Sequence, residues 1–166
     1  MKFLTRYVAY TRTSLILREL KRSVDKNVKI LDVGCGNCYI LNKLRSKGYN
    51  IIGVDRKPPC DIKMDVTNMD FPDNYFDVII STEVIEHCNC VQEIKRVLKK
   101  GGLFFVSTPQ PGTDWVRSIL INIGLLENQE FDQHNFLVDI ETLPFKKIFV
   151  KRMFFGTSQF GVFTTQ

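Results

Sequence analysis

The 166-residue sequence predicts an α/β fold: a mostly parallel sheet of seven strands, with an antiparallel strand at the C-terminal side and helices on both faces. Three observations carry the prediction. Short apolar runs alternate with amphipathic stretches, the pattern of buried parallel strands joined by helices. The first run ends in a glycine pair, Gly34 and Gly36, which lets a chain turn sharply out of a strand. The last two runs are separated only by a short turn, so they pair antiparallel.

The elements follow in order. Residues 3–22 read as a helix, with Leu4, Val8, Leu15 and Ile16 apolar and arginines between them. "VKILDV" is the first strand. "NCYILNKLRSKG" is a helix with Asn37 at its N-cap and Gly48 as its stop. "YNIIGVD" is the second strand. "RKPPC" follows, and its two prolines rule out the usual helix. "DIKMDV" and "FDVIIST" are the third and fourth strands. "VQEIKRVLKK" is a helix with Val91, Ile94, Val97 and Leu98 inward, ended by Gly101 and Gly102. "LFFVSTP" is the fifth strand and "DWVRSILINIGLL" a further helix. "KKIFVKRMFFG" and "QFGVFTT" are the closing pair. No repeat or linker interrupts the chain, so residues 1–166 are expected to form one domain.

Composition narrows the class. No apolar run approaches the roughly 20 residues of a membrane span, and the N-terminal stretch is interrupted by Arg6, Arg12 and Arg18, unlike a signal peptide. A cytoplasmic protein is expected. The net charge is +5, with much of the excess between Lys2 and Lys29. Such a patch suits nucleic acid, anionic lipid or an acidic substrate, and equally a solvated helix face, which is the favoured reading. The five cysteines are Cys35, Cys38, Cys60, Cys88 and Cys90. An odd count argues for thiols over a disulfide framework. Zinc held by Cys35, Cys38, Cys88 and Cys90 is conceivable, but C-x-C is an unusual half-site, and buried thiols are the commoner explanation.

In open α/β sheets ligands bind at the carboxyl ends of the strands. The first strand end carries Asp32, Gly34 and Gly36. A dinucleotide fingerprint needs a third glycine where Tyr39 stands, which disfavours a nicotinamide cofactor. The acid before the glycines suits a cationic ligand group. Asp55 ends the second strand and can accept from both hydroxyls of a ribose. Asp65 ends the third and can accept from an adenine amino group. An ammonium, a ribose and a base are thereby suited in sequence.

From about Val28 to Leu143 the chain resembles the class I S-adenosylmethionine-dependent methyltransferases. "DVGCGNC" matches the family's acid-x-Gly-x-Gly-x-Gly except at its last position. "GVDRK", "MDVTNMDFPDNYFDVIISTEVIEH" and "VQEIKRVLKKGGLFFVSTP" are similar to the stretches that follow, closest in flavour to small-molecule enzymes such as quinone-biosynthesis O-methyltransferases. The resemblance implies a Rossmann-like sheet and S-adenosylmethionine as cofactor. Asp32, Gly34, Cys35 and Gly36 would then hold its methionine end. Asp55 and Arg56 would lie at the ribose, and Met64, Asp65 and Val66 at the adenine. Ser81, Thr82 and Glu83 would border the methyl group. Cys38 in place of the last glycine, and "RKPPC" in place of a helix, depart from the pattern.

Methyl transfer to a hydroxyl is helped by a general base. His134, in a segment resembling the family's His-x-Phe, is the candidate, with Glu83 a second catalytic candidate. His87 lies four residues after Glu83 and would share a helix face with it, capping or ion-pairing. Trp115 suits an acceptor pocket or the core. The Pro-Cys and Asn/Asp-Pro-Pro-aromatic motifs of nucleobase methylation do not follow the fourth strand. The expected acceptor is therefore a small molecule taking the methyl on oxygen or nitrogen, with residues 1–22 as a substrate lid and a monomer or homodimer as the unit. No metal ligand is assigned. The alternatives are an RNA or protein methyltransferase and a non-catalytic cofactor-binding subunit.

Overall fold

The computed structural model describes residues 3–125, 138–154 and 156–166. Helix α1 spans Phe3–Ser23, α2 Tyr39–Arg45, α3 Val91–Val97 and α4 Asp114–Asn122. The strands are β1 Lys29–Val33, β2 Asn50–Asp55, β3 Ile62–Lys63, β4 Phe76–Thr82, β5 Leu98–Pro109, β6 Lys146–Met153 and β7 Ser158–Thr164. They form one sheet in the order β3-β2-β1-β4-β5-β7-β6. Neighbours from β3 to β5 are parallel, and β7 runs antiparallel to both β5 and β6. The strand order reverses between β1 and β4, the switch point where such sheets open a crevice.

Each face of the sheet is covered. Ile16 and Leu20 of α1, with Leu41 and Leu44 of α2, pack on Ile30, Val78 and Phe105 on one side. Ile94 and Val97 of α3, with Ile140, pack on Leu31, Ile79 and Phe104 on the other. The central strands are buried on both sides, hence their largely apolar runs.

Four local expectations are corrected. Cys38, not Asn37, occupies the N-cap of α2, in a left-handed conformation (φ 59°). The Asn37 side chain instead accepts a hydrogen bond from the Tyr39 amide at 3.2 Å. The third strand shrinks to Ile62–Lys63: at its start the Asp61 carboxylate accepts from Gly53 N–H of β2 (2.8 Å) and pairs with Arg45, and beyond its end the chain turns at Asp65, whose carboxylate accepts from the Thr67 amide. Helix α3 ends at Val97, and Leu98 already pairs with Phe76 of β4, ahead of the glycine pair. Residues 83–87 form a bend and turn, so Glu83 and His87 share no helix face.

Candidate functional site

The carboxyl ends of β1, β2 and β4 meet at the crevice. In the β1–α2 loop, Gly34 and Gly36 adopt left-handed backbone (φ 68° and 51°). A Cβ on Gly34 would run into the Val84 side chain, whereas one on Gly36 would meet no atom within 4 Å. The first glycine is needed for packing. The second leaves an open approach to the backbone.

Asp32 lies beneath this loop, 1% exposed, and neither carboxylate oxygen has a hydrogen-bond partner. Burial, reinforced by the Asp55 and Asp61 carboxylates, pushes its pKa up to about 7. Asp55 ties the loops together: one oxygen accepts from Gly36 N–H at 2.9 Å, the other from Lys57 N–H at 3.1 Å. Cys35 is buried against Gly53 of β2.

On the next side, Arg56 reaches Asp65 at 3.3 Å, both side chains more than half exposed. Asp65 also accepts from the Thr67 amide (2.9 Å) and hydroxyl (2.7 Å), which hold its carboxyl below the usual range. Met64 N–H donates to Asp55 C=O at 2.9 Å, and Val66 is core. Ser81 is fully buried with its hydroxyl unpaired, and Thr82 is half-buried.

The end of β4 carries a second polar cluster. Glu83 has a left-handed backbone (φ 59°), and its amide donates to Ser107 C=O of β5 at 2.8 Å. Its carboxylate pairs with Arg12 of α1 at 2.9 Å and accepts from the Ser107 hydroxyl at 3.4 Å. Glu86, 2% exposed, accepts from the Thr108 hydroxyl at 2.8 Å, while its other oxygen is unpartnered. Burial, with Glu83 beside it, pushes its pKa up to about 8.

The structure therefore places Asp32, Gly34, Gly36, Asp55, Arg56, Asp65, Ser81, Thr82 and Glu83 at or just after the carboxyl ends of β1 to β4. Arg12, Glu86 and Thr108 join them without having been singled out from sequence. The signal available was "STEVIEH", a second acid placed between Glu83 and His87. His134 lies outside the described residues. Trp115 is 66% exposed, which overturns the core reading. Among the described residues no group of three or more His, Cys, Asp or Glu side chains is placed to hold a metal ion.

Comparison with known proteins agrees with this geometry. Residues 31–106 match the methyltransferase domain family. The chain is 28% identical over 123 residues to a ubiquinone biosynthesis O-methyltransferase of Pelagibacter ubique, covering 61% of this chain and 51% of that protein. It is 33% identical over 106 residues to a probable S-adenosylmethionine-dependent methyltransferase of Mycolicibacterium smegmatis, covering 51% and 41%. The chain thus spans about half the length of the curated relatives it matches. A crystal structure of a protein from Pyrococcus horikoshii shares the fold, with a TM-score of 0.68, 21% identity, and coverage of 95% of this chain and 91% of that one.

Proposed function

We infer that this chain, a class I S-adenosylmethionine-dependent methyltransferase by its domain match and Rossmann-like sheet, moves a methyl group from S-adenosylmethionine to a small-molecule acceptor, on oxygen or nitrogen. The observation that carries the reading is Asp32: a buried carboxyl with two unpartnered oxygens, below a glycine loop open to a ligand. Those features fit the cofactor. Asp32 suits its ammonium, Gly36 a close backbone approach, Asp55 its ribose, and Asp65 with Val66 its adenine. Bound there, S-adenosylmethionine supplies an already activated methyl group.

The chain's own work is then to bind, orient and manage one proton. Arg12 holds Glu83 at the end of β4, and Thr108 donates to one oxygen of the buried Glu86 beside it. His134 is proposed as the base that takes the acceptor's proton. The ubiquinone biosynthesis O-methyltransferase relative supports oxygen on a small molecule as the acceptor atom. No helix among the described residues is long and apolar enough to cross a membrane, and a cytoplasmic site of action is part of the proposal.

Calorimetric titration tests the reading. S-adenosylmethionine and S-adenosylhomocysteine are expected to bind and NAD is not. Asp55→Ala should weaken binding by about 1–3 kcal/mol, the loss of hydrogen bonds to a charged acceptor. Failure of both adenosyl compounds to bind would refute the proposal. With binding established, labelled methyl transfer to a catechol checks the acceptor class.

A further inference from the structure

Two thiols of the cofactor loop lie side by side. Cys35 Sγ and Cys38 Sγ are 3.8 Å apart, and both face the Pro59 carbonyl, at 3.8 and 3.0 Å. Between them stand Gly36 and Asn37. Gly36 is the residue whose amide is held by Asp55 and whose outer side is open. A change that draws the two sulfurs together therefore moves the part of the loop that meets the cofactor.

We propose that Cys35 and Cys38 are a redox-modifiable dithiol, closed to a disulfide by a low-molecular-weight disulfide of the glutathione class, and that closure weakens cofactor binding. This rests on the methyltransferase reading. The Cys38 thiolate attacks the small disulfide, forming a mixed disulfide and releasing one small thiol. Cys35 then attacks the Cys38 sulfur and displaces the second. Two protein thiols lose two electrons and two protons, and one small disulfide becomes two small thiols. Burial, with the Asp32 carboxylate nearby, pushes the Cys35 thiol up and makes it a poor first nucleophile.

Closure has a geometric consequence. A disulfide needs its sulfurs about 2.05 Å apart. Closing the present gap pulls Cys38 from the Pro59 carbonyl. Cys38 already holds the left-handed conformation that a side chain resists, so the ring must be accommodated by the Gly36–Asn37 backbone. The Gly36–Asp55 hydrogen bond lies on that backbone. Cys88 and Cys90 form a second thiol contact, but at the start of α3 and outside the glycine loop, and Cys60 Sγ faces Asp55 C=O at 3.9 Å.

The test uses the whole chain, reduced or incubated with oxidised glutathione. Cleavage after Lys29 and Lys43 yields a peptide holding Cys35 and Cys38 and none of the other cysteines. Its mass should fall by two hydrogens on oxidation. In parallel, S-adenosylhomocysteine affinity, measured by calorimetry, should drop about tenfold or more and return with dithiothreitol. In Cys38→Ser the ratio of oxidised to reduced affinity should be one. Absence of the internal disulfide, or a disulfide with unchanged affinity, overturns the proposal while leaving the functional reading intact. A reduced chain that binds no S-adenosylhomocysteine overturns the reading itself and the switch with it.

Discussion

Inside a protein an ionised carboxylate without hydrogen bonds is costly, and Asp32 avoids that state by keeping its proton to about pH 7. An ammonium placed beside it would favour the ionised form. Cofactor binding should therefore expel a proton below about pH 7, so affinity rises with pH and levels off above that value. Calorimetry of S-adenosylhomocysteine in buffers of different ionisation enthalpy measures the proton directly. A buffer-independent enthalpy at pH 6 would contradict it. The residue's identity as a strand-end acid was legible in "DVGCGNC". Its protonation was not, because it comes from burial beneath the folded loop and from Asp55 and Asp61, which stand far along the chain. Glu86 escaped notice for the same reason: only the fold brings it to Thr108.

At the scale of elements, strands were the most legible feature. Apolar runs of "VKILDV" or "FDVIIST" leave little choice once both sheet faces must be covered. Boundaries were less so. Nothing local in "DIKMDV" shows that the Asp61 carboxylate will take Gly53 N–H and Arg45. The β1–α2 loop and helix α1 each yield an expectation. Gly34→Ala sets a Cβ against Val84 and forces a left-handed φ on a non-glycine residue. It should cost at least about 1–2 kcal/mol in urea unfolding and impair cofactor binding. Adding Val84→Ala should recover only part of the loss, since the backbone strain persists. Arg12→Ala breaks the link between α1 and the end of β4, leaving Glu83 and Glu86 without their cation. Stability should fall by about 1–3 kcal/mol, and amides of α1 should exchange faster with deuterium.

The whole molecule carries the sum of these carboxyls. Asp32 and Glu86 bind protons more tightly folded than unfolded, with pKa values raised from 3.8 and 4.5 to about 7 and about 8. Their contribution is full below about pH 4 and is lost as the pH rises through those folded values. Asp61, Asp77 and Glu93 have lowered values and act with opposite sign, at lower pH. Melting temperature should thus decline between about pH 5 and pH 8. The double variant Asp32→Asn, Glu86→Gln should flatten that decline; an unchanged slope would place its source elsewhere. Strand β7 bears on a different property, the order of assembly in time. It lies between β5 and β6 and has most of its residues buried, yet it is made after both of them. Until it arrives, β5 presents an open edge of backbone hydrogen-bonding groups and β6 has no strand to join. A nascent chain must therefore protect that edge until residues 158–164 have been made, and a copy interrupted before Ser158 would offer it to any neighbouring strand.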